Sequence, residues 1–335
     1  MNKILTITVP SYHTEKYMEE CLPTLLDESI NDKVEIIIVN DGSTDGTLKK
    51  ARKFEKKYPG TIRVIDKENG GHGSTINMGI EQASGKYFKV VDGDDWVNTK
   101  ELVKLVNTLE NLDVDVIISP YEDHNVDTGV IERQDFNVSK KGSIISYDEL
   151  VGNANKLPMM HATTFRTDIL KLNNIKIDEK CFYVDMEYIT FPMLYLETAI
   201  YIDTVVYCYR MGTADQSVNP KNFIKNRHMH TKVTLQLIKT YVALKKLMPE
   251  AERTRVLGER LIKTEINLDT NIHLLVENSK EAKKELVNFF SEINKIDSSI
   301  LPDVSGKKVY LLTKLNGLLF KPMSFIMKKF NISVR

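Results

Sequence analysis

Phe88-Lys89-Val90-Val91-Asp92-Gly93-Asp94-Asp95 is the stretch on which the fold turns. Its first half predicts a buried strand. Carboxylates then crowd the carboxyl end of that strand, where open α/β sheets place their ligands. Carboxylates packed together repel one another unless a cation relieves them. A hard divalent ion such as Mg²⁺ or Mn²⁺ binds through oxygen and reaches substrate phosphates. The stretch therefore points to a metal–diphosphate site.

Working outward, strand and helix signals alternate over the first ~120 residues in the manner of βαβ units. Ile4 to Val9, Val34 to Val39, Thr61 to Ile65, Tyr87 to Val91 and Val114 to Ser119 read as strands. Glu15 to Glu28, Asp45 to Lys57, Ser74 to Ala83 and Thr99 to Asn111 read as helices between them. This order predicts a mostly parallel sheet with helices on both faces. Val130 to Arg133 and Ser143 to Ser146 read as short antiparallel strands, His161 to Arg166 as a return to the sheet, and Ile200 to Tyr209 as one more strand. After Pro220 the spacing turns helical, over Asn222 to Leu247, Glu252 to Val276 and Lys280 to Ile293.

Lysine plus arginine and aspartate plus glutamate balance at 46 each, which excludes the global field of a nucleic-acid binder. Cys21, Cys181 and Cys208 lack metal-type spacing and cannot close into a complete disulfide set, so a reducing compartment is expected. Met1 to Val9 is too short for an export signal, and no apolar run approaches the ~18 residues that span a bilayer. A cytoplasmic protein is expected, with the inner face of the membrane as the alternative. Leu311 to Arg335 interleaves apolar residues with lysines. It reads either as an interfacial amphipathic segment or as a terminal helix packed on its own domain or a partner subunit. The interruption by Pro322 favours packing.

Four strand-end segments carry the chemistry. Val9-Pro10-Ser11-Tyr12-His13 stops the first strand at proline and offers a tyrosine face for a base. Asn40-Asp41-Gly42-Ser43-Thr44-Asp45 combines permissive glycines with a helix-capping residue, and leaves Asp41 to accept a hydrogen bond, such as one from the imide N–H of uracil. Asn69-Gly70-Gly71-His72-Gly73 lets backbone approach a ligand at a helix start. It lacks the Gly-Lys-Ser/Thr of a P-loop. The acidic stretch is the fourth. Each alone reads equally well as a loop or solvated turn, but all four follow successive strands of one sheet.

This ordered set, with Asn77-Met78-Gly79 and Ser84-Gly85-Lys86-Tyr87, resembles the family-2 glycosyltransferases of GT-A fold. The resemblance is strong over roughly the first 120 residues and weak to about Pro220. It implies a GT-A domain over 1–220 that binds a nucleotide-sugar, and a helical region over 221–335 for acceptor, oligomer or membrane-surface contacts. It places Pro10 and Tyr12 in the nucleotide loop and Asp41 on uracil. Asp92 and Asp94 become the Asp-x-Asp pair on ribose and metal-bridged diphosphate, with Asp94 the ligand of Mn²⁺ or Mg²⁺. Asp95 would support the acceptor side or the sugar, and Lys67 and Asn77 the donor. His13 departs from the asparagine common at its position. The acidic pair that supplies the base matches Val184-Asp185, which leaves Asp185 as the candidate and Glu187 as its competitor. A helix N-cap is the structural alternative for Asp185. Tyr209-Arg210 with Gln216-Ser217 resembles a segment that closes over the diphosphate. Arg210 there would stabilise the leaving group or, equally, form a surface ion pair. His161, His228 and His230 tempt as metal ligands, but their isolation argues for other roles.

The implied reaction is an inverting, metal-dependent transfer from a UDP-linked sugar to a hydroxyl of a glycan or lipid-linked acceptor. A sugar-phosphate nucleotidyltransferase is the alternative, disfavoured because Pro10-Ser11-Tyr12 stands where its basic glycine-rich loop would be. A non-catalytic nucleotide-sugar-binding scaffold is disfavoured by the intact carboxylates Asp41, Asp92, Asp94 and Asp185.

Overall fold

The computed structural model describes residues 3–212 and 220–330. The chain forms two compact units, Met1–Thr213 and Ala214–Arg335. Gln216 and Ser217, and the last five residues of the tail, lie outside the described residues.

The first unit opens β1 (Leu5–Ser11), α1 (Met18–Thr24), β2 (Val34–Asp41), α2 (Thr47–Lys57), β3 (Ile62–Lys67), α3 (His72–Gln82), β4 (Tyr87–Val90), β5 (Trp96–Val97) and α4 (Thr99–Leu109). It continues β6 (Val116–Ile118), β7 (Tyr121–Asn125), β8 (Ile131–Gln134), β9 (Ile144–Ser146), α5 (Tyr147–Asn153), β10 (Thr163–Arg166), α6 (Thr167–Leu172), α7 (Asp185–Thr190), β11 (Thr198–Tyr201) and β12 (Tyr207–Met211). An eight-stranded sheet runs β3-β2-β1-β4-β10-β6-β11-β9, and a four-stranded sheet runs β5-β12-β7-β8.

Every residue of β1 is buried, so protein covers the strand on both sides, as the apolar runs of a parallel sheet require. Its parallel partners are β2 and β4, and β2 pairs in parallel with β3. The carboxyl ends of these four strands therefore share one edge. There Ser11 faces Asn40 and Asp41 faces Lys67. The other half of the sheet is mixed, because β10 enters antiparallel between β4 and β6. Helix α4 shows the local logic. Asn98 caps it by accepting from the Glu101 amide, and Leu102, Leu105, Val106 and Leu109 recur at helical spacing on its buried stripe. Each such side chain contributes about 1.5–3 kcal/mol on burial.

Three expectations are corrected. Pro10 does not end β1, which continues to Ser11. The first helix is shorter than Glu15 to Glu28, since it ends just past Pro23, whose ring crowds the preceding turn. Ile200 to Tyr209 is not one strand. The chain leaves the large sheet at Tyr201 and re-forms as β12 in the small one. The break falls at Asp203, a charge drawn out to pair with Lys141 (2.7 Å) and Arg133.

The second unit contains α8 (Pro220–Lys225), α9 (Arg227–Leu247), α10 (Glu252–Val256), a π-helical turn (Leu257–Ile262), α11 (Lys263–Leu275) and α12 (Ser279–Ile296). Shorter helices α13 (Ile300–Val304), α14 (Lys307–Lys314) and α15 (Phe320–Lys329) complete it. Pro322 does not break the tail. It falls in the first turn of α15, where no intrahelical donor is lost. His228 is exposed and His230 buried, as expected for neighbours two apart on a helix. No helix among the described residues is long and apolar enough to cross a membrane.

His230 sits between Asp269 (2.9 Å) and Glu265 (3.0 Å) inside this unit. Burial alone would lower its pKa, but hydrogen bonds and charges from Asp269 and Glu265 outweigh burial and raise it to about 9. The folded value thus exceeds the ordinary ~6.5 of the unfolded chain. The linked stability is fully present below pH ~6.5 and is lost as pH rises through about 9. Denaturant titrations should show the helical unit weakening over that window. In His230→Gln this pH dependence should disappear.

Candidate active site

The acidic loop joins the two sheets: β4 of the large one precedes it and β5 of the small one follows it. Its backbone is fastened from both sides. The Gly93 amide donates to the Pro10 carbonyl (3.1 Å), and the Asp95 amide to that of Asp92 (3.0 Å). The Asp92 amide donates to the Tyr207 hydroxyl (3.1 Å). Gly93 is required by close approach, since a Cβ there would lie 2.7 Å from the Pro10 oxygen of buried β1.

The loop carboxylates have different fates. Asp95 is 1% exposed. It accepts from the Tyr207 hydroxyl (2.5 Å) and from the Arg210 amide (2.7 Å). Burial, with the charges of Asp94 and Asp92, pushes its carboxyl well above the usual carboxylate range. Asp95 therefore anchors β12, with each oxygen already accepting a hydrogen bond from that strand. Asp92 is only partly covered, yet its Oδ1 is buried without a hydrogen-bond partner. Burial pushes its carboxyl up to about 6; His72 opposes the rise, and Asp94 and Asp185 add to it. Asp94 is half-buried and makes no side-chain hydrogen bond or ion pair among the described residues. An orphaned carboxylate oxygen on Asp92 beside the unpaired carboxylate of Asp94 is a hard oxygen donor set, and it fits Mg²⁺ or Mn²⁺.

Asp185 joins this group from far along the chain. It is the first residue of α7, with Val184 in the cap position, so the N-cap alternative does not hold. Its charge bears on both Asp92 and Tyr209. Glu187, the competitor, is fully buried and accepts from the Asp178 amide at 2.7 Å. One helix thus turns one acid inward and leaves the other half-exposed beside the acidic loop.

Asp41 is 2% exposed. Its Oδ1 accepts from Lys67 Nζ (2.8 Å) and the Gly70 amide (2.9 Å), and its Oδ2 from the Gly71 amide (2.8 Å). It therefore holds the glycine loop in place. Gly71 adopts φ +81°, and its missing Cβ leaves room for the Lys180 backbone. Lys67 also reaches the Glu68 carbonyl (2.6 Å) and Ser74 (2.9 Å), so its ammonium is committed internally. Asn77 is likewise held by the protein's own groups. Its amide donates to the Ile177 carbonyl (2.9 Å) and accepts from the Ile177 amide (3.0 Å), pinning α3 to the segment that leads into α7.

Arg210 is itself buried and pairs with the more exposed Glu20. It packs over the rings of Tyr17 (4.8 Å) and Trp96 (4.7 Å). Its guanidinium donates to Glu20 (2.6 Å) and to the Asp94 carbonyl (2.7 Å), which locks the acidic loop from below. Tyr12 is 53% exposed and stacks on His13 with ring centroids 4.1 Å apart. His13 takes φ 53°, and its Nε2 accepts from the Thr44 amide (3.2 Å), tying the first loop to the second.

Sequence reasoning missed His72 and underrated His161. His72 Nε2 lies 3.7 Å from Asp92 Oδ1. It follows Gly70-Gly71 directly, and that position at a loop-to-helix junction was the available signal. His161 stacks on Tyr209 (4.4 Å) and clusters with Asp92 and Asp95, their ligating atoms within 4.8 Å of one another. Burial, with Lys89 and His72 nearby, lowers its pKa to about 3, so it is neutral. Lys89 is fully buried behind it and donates to the His161 carbonyl at 2.7 Å. Nothing in local sequence links these residues.

The glycosyl transferase family 2 model matches residues 6–178. The chain is 38% identical over 117 residues to the uncharacterized glycosyltransferase EpsJ of Bacillus subtilis (strain 168), covering 35% of this chain and 33% of that protein. It is 26% identical, over 99% of its own length, to the teichoic acid poly(glycerol phosphate) polymerase of Staphylococcus epidermidis, of which it covers 46%. It thus spans less than half the length of either relative. S. aureus TarS 1–349 in complex with UDP superposes with a TM-score of 0.70 at 19% identity, over 99% of this chain and 93% of that one. The same TarS fragment has been solved with UDP-GlcNAc, with a TM-score of 0.67. The shared fold is GT-A. Because the matched span holds all four strand-end segments and covers more than half of the chain, the protein belongs to glycosyl transferase family 2.

Proposed function

We propose that the chain transfers a sugar from a UDP-linked donor to a hydroxyl of a glycan or lipid-linked acceptor, with inversion at the anomeric carbon. The observation that carries this reading is the meeting of Asp185 with the acidic loop: a half-exposed carboxylate on α7 whose charge reaches Asp92. UDP bound to the TarS fragment supports the choice of nucleotide.

In this reading Tyr12 covers the base and Asp41 meets the uracil imide. Asp92 and Asp94 would hold a divalent cation, which supplies positive charge against the diphosphate oxygens. Asp185 accepts the proton of the acceptor hydroxyl as its oxygen bonds to the anomeric carbon. The bond from that carbon to the diphosphate oxygen breaks, and UDP departs with the electron pair. Arg210 and Asp95 act through position only, holding the Asp94 backbone and β12.

A ligand that binds only the folded chain raises its melting temperature. UDP with Mn²⁺ is expected to raise it, and UDP with EDTA to raise it distinctly less. Among UDP-sugars, the true donor should also be hydrolysed slowly to UDP and free sugar. Absence of any UDP shift, or release of pyrophosphate from UTP and a sugar phosphate, would reject this reading in favour of the nucleotidyltransferase.

A further inference from the structure

The last two helices of the second unit each bury one side and expose another that is both apolar and cationic. In α15, Phe320, Ser324 and Met327 turn inward at helical spacing, and Ser324 Oγ donates to the Leu274 carbonyl at 2.6 Å. Phe325 and Ile326 on the opposite side are exposed, as is Phe330 just beyond the helix; Phe325 is 65% accessible and Phe330 68%. In α14, Val309 and Leu312 are buried, whereas Tyr310 and Leu311 are exposed. Leu318, between the helices, is 72% accessible. Exposed apolar residues gathered this densely mark a contact surface.

The charge on that surface identifies what it contacts. From Val304 to Phe330 there are six lysines and no aspartate or glutamate, in a chain whose charges balance overall. Lys314, Lys321 and Lys329 are exposed and form no ion pair among the described residues. They are interleaved with the rings: Lys314 Nζ lies 5.6 Å from the Tyr310 centroid and Lys329 Nζ 5.8 Å from that of Phe325. A second copy of this chain on the same face would set lysines against lysines, since a two-fold contact pairs a patch with itself. A polyanion alone would leave Phe325, Leu318 and Phe330 in water. Aromatic and aliphatic side chains entering an apolar layer, with lysines at a negatively charged boundary, describe a bilayer interface.

We infer that the exposed faces of α14 and α15 form a docking surface for a bilayer rich in anionic headgroups. The helices lie on such a surface and do not cross it. The inference is independent of the transfer reaction.

Vesicle flotation of the whole chain tests it. Vesicles containing phosphatidylglycerol should carry the protein up the gradient, and vesicles of phosphatidylcholine alone should not. Lys321→Gln/Lys329→Gln should weaken partitioning roughly 25-fold, at about a factor of five per lysine near an anionic surface. Phe325→Ser/Ile326→Ser should remove the binding that survives high salt. All four side chains are exposed, so both variants should melt like the parent. The inference fails if the parent does not float with phosphatidylglycerol, or if it and both variants partition alike. It also fails if light scattering finds a dimer that Phe325→Ser/Ile326→Ser dissolves while vesicles stay unbound, since the face would then join two copies.

Discussion

Asp185→Asn is expected to lower transfer to acceptor by roughly 10²–10⁴-fold, the usual contribution of a positioned general base. The affinity for UDP should stay close to that of the parent. The split follows from the geometry. Asp185 opens α7, and its charge reaches Asp92, while the loop backbone is fastened by Pro10 and Tyr207. Asparagine keeps the shape and removes the proton acceptor. The competitor makes an informative control. Glu187 holds the Asp178 amide at full burial, so Glu187→Gln should lower the melting temperature and leave the transfer rate of the folded fraction largely intact. Single-turnover transfer and UDP titration on the same preparations separate these outcomes. Near-parental turnover in Asp185→Asn would remove it as the base.

Asp94→Asn should act on the other side of the reaction. Mutating residues that merely support a metal ligand costs about 10–100-fold in metal affinity, so loss of the ligand itself should cost at least about 100-fold. Calorimetric titration of UDP with and without Mn²⁺ reads this directly: the Mn²⁺-dependent part of the affinity should vanish and the rest persist. Because Asp94 has no side-chain partner to lose among the described residues, the variant should melt like the parent. Retained Mn²⁺ dependence in Asp94→Asn would move the ion elsewhere, with His161 beside Asp92 the first place to look.

Much of the edge that carries these residues was legible, for a physical reason. Parallel strands bring their carboxyl ends to one side, so motifs after β1, β2, β3 and β4 had to meet once those strands were recognised. What local pattern could not supply was direction. Asp94 and Asp95 are adjacent carboxylates in sequence, but one is half-exposed and the other is sealed under β12. Lys67, Asn77 and Arg210 carry the charge or polarity a ligand would want, and each is committed to the protein's own groups. Ile200 to Tyr209 is mostly β-forming, and the change of sheets falls at its one acidic residue, Asp203, which pairs with Lys141 and Arg133. His161 meets Asp92 and Lys89 because it leads into β10, a strand inserted antiparallel between neighbours, an arrangement that spacing along the chain does not encode.

The double fastening of the Asp92–Asp95 turn limits which ions it can serve. With its amides tied to Pro10 and Tyr207 and its Asp94 carbonyl to Arg210, the turn has little slack to swell or shrink around a guest. Adjustment for ionic radius would then fall to the side-chain torsions of Asp92 and Asp94. On the proposed reading, such a seat would suit the smaller ions, whose oxygen ligands stand near 2.1 Å, over calcium, which gathers six to eight oxygens from a yielding shell.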